Sequence, residues 1–428
     1  MRQFNESATS RRLFLQFLAA SPLIGSAVHE ALAVDAAQVP PRLPDPISWG
    51  PLNVDGLIKS PQEALSVFDF ELVARQKVPP AHFGKVATGS DDEFTMRANR
   101  ADFAKVRLLP RRLRDVSKPD SSITLFGVQW DSPVFICPAG ASRAMHPDGD
   151  VGVSKAAEAG KHLQILAASV STSIEDCMAA RGGTPIWFQL YPQYGFEITK
   201  DIIARAERRG APVLVLTIDM PVSPNFETLE RLTRLDHQTC TNCHQTPAGG
   251  PTAAEMLSRP HYASIPPERY KTISSSPVKL DWDFVRRLRD ATKMKVVLKG
   301  IIAPEDAALC VKYGFDGMIV SNHGGRAGDF GTSSISVLPE IVAVVKGKIP
   351  ILVDSGFRRG MDVIKALAMG ATAVGICRPY LWGLGAFGQA GVERVLEILR
   401  TETRVAMAQA GAPSLKDLVP AMIHVDQV

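Results

Sequence analysis

Eight short apolar runs recur along the chain, each followed by an Ala-rich amphipathic stretch. They are PVFICPAG (133–140), LQILAAS (163–169), PIWFQLY (185–191), APVLVLTID (211–219), KVVLKG (295–300), DGMIVSN (316–322), IPILVDSG (349–356) and ATAVGICR (371–378). None of them alternates apolar with polar residues. A strand without alternation is buried on both faces, and such strands separated by helices belong to a parallel sheet covered by helices. Eight of these units predict an α/β chain folded as a (β/α)8 TIM barrel. A doubly wound open sheet is the alternative, weakened because no G-x-G-x-x-G follows the first strand.

The spacing breaks once. Strands four and five are separated by roughly 75 residues, far more than one crossover helix needs. The segment 226–280 is therefore read as a long loop leaving the C-terminal end of strand four, the face on which barrel active sites form. Inside it lies CTNCH (240–244), the spacing that attaches c-type haem. A haem on Cys240 and Cys243 with His244 as an axial ligand is one reading, with His237, His261 or Met256 as the second axial ligand. A disulfide or redox pair, a metal site or a chance occurrence are the others. The remaining cysteines show no disulfide framework; Cys137, Cys310 and Cys377 sit in apolar runs and read as small buried hydrophobes.

Upstream of the barrel the pattern changes twice. Residues 1–33 resemble a twin-arginine export signal: Ser10, Arg11, Arg12, Phe14 and Leu15 match it, an apolar run follows over 13–28, and small residues stand at Ala31 and Ala33. An amphipathic N-terminal helix is the plainer reading. The signal implies periplasmic delivery of a protein that folds first, and hence a cofactor loaded in the cytoplasm. Residues 34–60 are Pro-rich and read as a linker; 60–114 are patterned as helices, and 61–428 form the catalytic unit. A net charge of only +4, without a Lys/Arg block, gives no reason to expect a nucleic-acid partner.

Chemistry collects at the strand ends. Gln189 and Tyr191 follow strand three, Thr217 and Asp219 strand four, and Lys299 strand five. Strand six gives Asn322, His323 and Arg326; strand seven Asp354, Gly356 and Arg358; strand eight Arg378. A barrel brings all of these to one mouth. A lone histidine is more often a satisfied core residue, but His323 has Arg326 three residues on, and the two glycines between them permit a sharp turn. Imidazole takes a proton near neutral pH, and a guanidinium holds a carboxylate in a fork. VDSGFRRG and GICRP, after strands seven and eight, have the makings of a phosphate site.

These motifs, with VFDFELVARQKVP, HPDGD, FQLY, LTID, LKGI, SNHGGR and CRPYLWGLGAFGQAGV in order from about Ser66 to Ile423, resemble the FMN-dependent 2-hydroxy acid dehydrogenase and oxidase family of glycolate oxidase, L-lactate dehydrogenase and mandelate dehydrogenase. The resemblance implies catalytic roles for His323 as base, Asp219 as its support and Lys299 at the flavin. It implies substrate contacts from Arg326 and Tyr191. It implies an FMN site built from Ala139, Gly140, Gln189, Thr217, Lys299, Ser321, Asp354, Gly356, Arg358 and Arg378, and a homotetramer.

The chain also departs from the family. Lys85 stands where a carboxylate-binding Tyr is usual, Asn225 and Phe226 where a second Arg is usual, and Ala167 and Ser169 where a Ser and a Trp are usual. The flavin site is thus kept and the substrate site rebuilt, with Lys85 as a replacement charge. The expectation is an exported FMN enzyme that oxidises a 2-hydroxy acid bulkier than lactate to the 2-oxo acid and passes electrons to a periplasmic cytochrome or other acceptor. An O2-using oxidase, or a flavin electron-transfer protein of the same fold, is the alternative.

Overall fold

A computed structural model describes residues 57–140, 142–170, 172–192, 195–237, 260–261 and 279–425. The eight apolar runs form eight parallel strands in chain order: β1 (Val134–Ile136), β2 (Ile165–Ala167), β3 (Trp187–Leu190), β4 (Val213–Thr217), β5 (Lys295–Ile301), β6 (Gly317–Val320), β7 (Ile351–Val353) and β8 (Ala373–Ile376). Each is hydrogen-bonded to the next, and β8 pairs with β1 in the register Ile376↔Ile136. The ring closes through the parallel bridge Ile136↔Gln164, where Ile136 N–H donates to Leu163 O at 2.9 Å. The (β/α)8 barrel expected from the sequence is the observed fold.

Burial on both faces explains why no strand alternates. Phe135, Cys137, Ile165, Trp187, Val213, Val215, Val297, Ile319 and Leu352 fill the barrel interior, while their strand neighbours pack outward against the helices. A hairpin of Ile123–Leu125 and Val128–Trp130 covers the N-terminal end, with Phe126 5.4 Å from the Trp187 ring. That end is a packed plug, so chemistry is confined to the other one.

The helical pattern over 60–114 resolves into α1 (Phe68–Lys77), α2 (Pro80–Ala87) and α3 (Phe94–Ala101). The end of that stretch is different: Val106–Leu108 is a strand, antiparallel to Ile423–Val425. Its partner lies more than three hundred residues away, so no local pattern could reveal the pairing. The barrel helices are α4 (Gly149–Ala159), α5 (Ile174–Ala180) and α6 (Phe196–Arg208), then, beyond the loop after β4, α8 (Trp282–Asp290), α9 (Pro304–Lys312), α10 (Ser334–Val345), α11 (Gly360–Ala368) and α12 (Arg378–Ala410), which is broken by non-helical backbone at Phe387 and Gly388. Local signals start several of them. Ser173, Asp281 and Ser333 accept the backbone N–H three residues on, and Pro304 occupies a first-turn position where no N–H is needed.

The long loop opens with α7 (Glu227–Leu235), which packs on α2: a β-carbon at Gly84 would stand 2.6 Å from Leu232. Asp236 Oδ2 accepts from Ala81 N at 3.0 Å, and Asn225 O accepts from Asp91 N at 3.0 Å. The start of the loop is thereby fixed over the C-terminal mouth. CTNCH, Met256, the signal and most of the linker lie outside the described residues.

Candidate active site

Following β6, His323, Gly324 and Gly325 all have positive φ, at 58°, 67° and 79°. Histidine tolerates this region better than most residues, and glycine tolerates it freely. A β-carbon at Gly325 would meet Met96 N at 2.6 Å. The glycines therefore let this loop lie against α3, and the turn throws the imidazole over the barrel axis.

His323 Nδ1 is 2.9 Å from Asp219 Oδ1, and Tyr191 Oη is 3.2 Å from Nε2. Burial works against the Asp219 charge, but His323 and Lys299 outweigh it and hold its carboxyl below the usual range. An ionised Asp219 accepts from Nδ1–H and fixes the tautomer with a basic Nε2 facing the cavity. Burial pushes the Tyr191 hydroxyl above its ordinary value, so it stays protonated and donates. Three residues from three strands thus form one proton-handling chain.

Lys299, at the bulge of β5, donates to Ser321 Oγ at 2.8 Å and pairs with Asp354 Oδ2 at 3.3 Å. Burial opposes its charge, yet Asp354 and Asp219 more than compensate, so the ammonium is held above its ordinary value. It is a permanent buried cation at the base of the site.

A cavity of about 300 Å³ opens at this end of the barrel. Its lining includes Lys85, Ala139, Gly140, Gln189, Tyr191, Lys299, His323, Arg326, Asp354, Gly356, Arg358 and Arg378. The other three expected residues stand behind the wall: Asp219 holds His323, Ser321 holds Lys299, and Thr217 Oγ1 accepts from Gln189 Nε2 at 2.8 Å.

The walls suit a flavin phosphate. Arg358 is buried, and burial together with Arg100 and Arg378 pushes its guanidinium down to about 9. Among the described residues its Nε has no hydrogen-bond partner, nor has Gln189 Oε1. Like charges crowded together with unpaired donors and acceptors call for an anion and a polar ring. Arg378 here donates to Val86 O, Thr88 O and Gly324 O at 2.8–3.0 Å. The residues present therefore fit FMN, with Arg358 at the phosphate, Gln189 and Lys299 at the ring, and Asp354 and Gly356 along the chain between.

The sequence profile of the FMN-dependent dehydrogenases matches residues 74–425. This chain belongs to that family. It is 37% identical over 358 residues to an L-lactate oxidase of Lysinibacillus sphaericus, covering 82% of this chain and 90% of that one. It is also 37% identical over 350 residues to human 2-hydroxyacid oxidase 2, covering 82% and 95%. Among solved structures, mandelate oxidase with benzoyl-formic acid superposes with a TM-score of 0.73 at 33% identity, covering 85% of this chain and 98% of that one. A mutant flavocytochrome b2 with pyruvate bound superposes at 0.74 and 29% identity, covering 85% and 87%. The chain is thus an FMN-dependent 2-hydroxy acid oxidase or dehydrogenase.

Several participants were not legible as such in the sequence. Thr88 O accepts from Arg326 at 2.8 Å and from Arg378 at 3.0 Å, and a backbone carbonyl leaves no trace in residue type. The Arg326 guanidinium lies 4.3 Å from the centroid of the Phe226 ring. Cys137 and Cys377 line the cavity; Cys137, Cys177 and Cys310 are buried and Cys377 is partly so. His261 is a poor candidate for an axial ligand. It is buried against Phe188, its Nε2 donates to Thr172 O at 3.0 Å, and burial and Arg205 push it down to about 4. Cys240, Cys243 and His244 lie outside the described residues.

Proposed function

We propose that this enzyme oxidises a 2-hydroxy acid larger than lactate to the 2-oxo acid outside the cytoplasm and delivers the electrons to a cytochrome. The Asp219–His323–Tyr191 chain, set beside Arg326 in the cavity, carries the reading. Arg326 holds the carboxylate, Tyr191 Oη–H donates to the substrate oxygen, and His323 Nε2 takes the proton. Asp219 stabilises the imidazolium that results. FMN, when bound, would accept the two electrons of the oxidation together with the second hydrogen. Lys299 supports negative charge at that end of the cavity.

The short side chains of Ala167 and Ser169 in the wall support a substrate larger than lactate, as does Lys85 at the cavity as a second cation. Export is supported by the match at Ser10, Arg11, Arg12, Phe14 and Leu15. A covalent haem on Cys240 and Cys243, with His244 as axial ligand, is supported by the C-x-x-C-H spacing and by the loop's departure from the active-site end of β4. The similarity to flavocytochrome b2 favours the same acceptor class. The oxidase names of several relatives favour O2 as the second reading.

Anaerobic mixing of the flavin-loaded protein with glycolate, lactate and mandelate tests the first step: rapid bleaching by mandelate is expected, and no bleaching by any hydroxy acid refutes the reading. Reoxidation by O2 faster than by cytochrome c would establish the oxidase. Protein exported from cells with active cytochrome c maturation should carry haem stain on a denaturing gel. Absence of stain refutes the haem and leaves CTNCH as a disulfide hairpin.

A further inference from the structure

Phe226 is an aromatic residue at the site that the mechanism above does not use. It lines the cavity and stacks on the Arg326 guanidinium at 4.3 Å. Arg326 is held from a second direction by Thr88 O, which its Nη1 reaches at 2.8 Å. Burial and the neighbouring Arg378 push Arg326 down to about 10, so the guanidinium gains from a ring face or an anion laid against it. A guanidinium has five donors in a planar fork. With one nitrogen on Thr88 and one face on the ring, the fork has a fixed orientation before a ligand arrives.

The ring itself does not float. It is the residue before α7, Asn225 O accepts from Asp91 N at 3.0 Å, and α7 presses Leu229 and Leu232 onto Gly84 of α2. Lys85 follows Gly84 in the same helix, so the ring and this cation are carried by two elements packed on each other. Met220 adds a thioether to the wall. At the end of β2, which lies across the barrel from β6, Ala167 and, just beyond it, Ser169 leave depth.

We infer that Phe226 is the specificity-determining residue of the substrate site. It positions Arg326 for the carboxylate, and it supplies the apolar face against which an aryl substituent on C2 packs. This rests on the 2-hydroxy acid reading and deepens it: the substrate class is an aryl 2-hydroxy acid. A substrate with only hydrogen at that position gains the positioned guanidinium but leaves the Phe226 face in contact with water. The two contributions are therefore separable by ligand.

The test is equilibrium binding of two unreactive products to the flavin-loaded protein, read from flavin absorbance: benzoylformate, with an aryl group, and glyoxylate, without one. Phe226→Ala is expected to weaken glyoxylate by about 10-fold through loss of the cation–π seat. It should weaken benzoylformate by about 100-fold, because the apolar contact is lost as well. Phe226→Tyr should restore both to within about 3-fold, since its ring face is equivalent. Phe226→Leu, which keeps the bulk, should recover more of the benzoylformate loss than of the glyoxylate loss. A benzoylformate loss no larger than the glyoxylate loss in Phe226→Ala overturns the inference. If none of the hydroxy acids tried reduces the wild-type flavin, the proposed substrate reading fails, while the ratio of the two losses still decides the role of Phe226.

Discussion

Gly300 offers a way to disturb the catalytic pair without touching either member. It follows Lys299 at the point where β5 shifts register, with φ at +111°. A β-carbon there would stand 2.6 Å from Asp219 Cβ, 2.8 Å from Asp219 Cγ and 3.0 Å from Asp219 N. Ordinary contact begins near ~3.5 Å, so Gly300→Ala has to push Asp219 away by about 1 Å. Adopting that φ with a side chain costs a further 1–3 kcal/mol or so of stability. A displacement of about 1 Å at a positioned catalytic group is worth on the order of 10²-fold in rate, or roughly 2.7 kcal/mol. The assay is anaerobic stopped-flow reduction of the bound flavin, with the limiting rate separated from substrate affinity. We expect a limiting rate down about 10²-fold, with FMN retained because Arg358 and Arg378 lie on other strands. A folded, flavin-loaded Gly300→Ala protein with a limiting rate within about 3-fold of wild type would refute the view that Asp219 must sit where it does.

His323→Asn, chosen because asparagine also accepts positive φ, should cut flavin reduction by about 10²–10⁴ while FMN stays bound, as single-turnover kinetics will report. Arg358→Ala removes a charged partner worth roughly 1.5–3 kcal/mol, so the FMN dissociation constant should rise about 10- to 150-fold in a fluorescence titration. Asp150 is buried at the start of α4, and burial, only partly offset by the nearby Ser142 and Thr172 hydroxyls, raises its carboxyl to about 6. A raised acid favours folding fully below its unfolded value and loses that contribution as the pH climbs through about 6. Asp150→Asn should therefore gain stability relative to wild type between pH 4 and pH 8, by up to ~3 kcal/mol, in denaturant melts at the two pH values. A gap that does not change with pH would show that Asp150 is not carrying that ionisation.

The barrel could be read from the chain because its determinants are local. Burial on both faces removes alternation from a strand such as VLVLT, and helices must fill the intervals, so pattern and spacing are enough to imply eight parallel strands. The site was legible for a related reason: a barrel brings every strand end to one mouth, so His323, Asp219 and Lys299 could be grouped without knowing any distance. Gly324 and Gly325 announced their turn because only that residue type makes it cheaply. What the sequence could not determine depends on contacts between distant segments. The pairing of Val106–Leu108 with Ile423–Val425, the Thr88 carbonyl shared by Arg326 and Arg378, and the closeness of Gly300 to Asp219 exist only once the ring has closed. Charge states are of the same kind. Lys299 stays charged and Asp150 resists ionisation because of what surrounds each after folding, and a residue's letter does not carry its neighbours' fields.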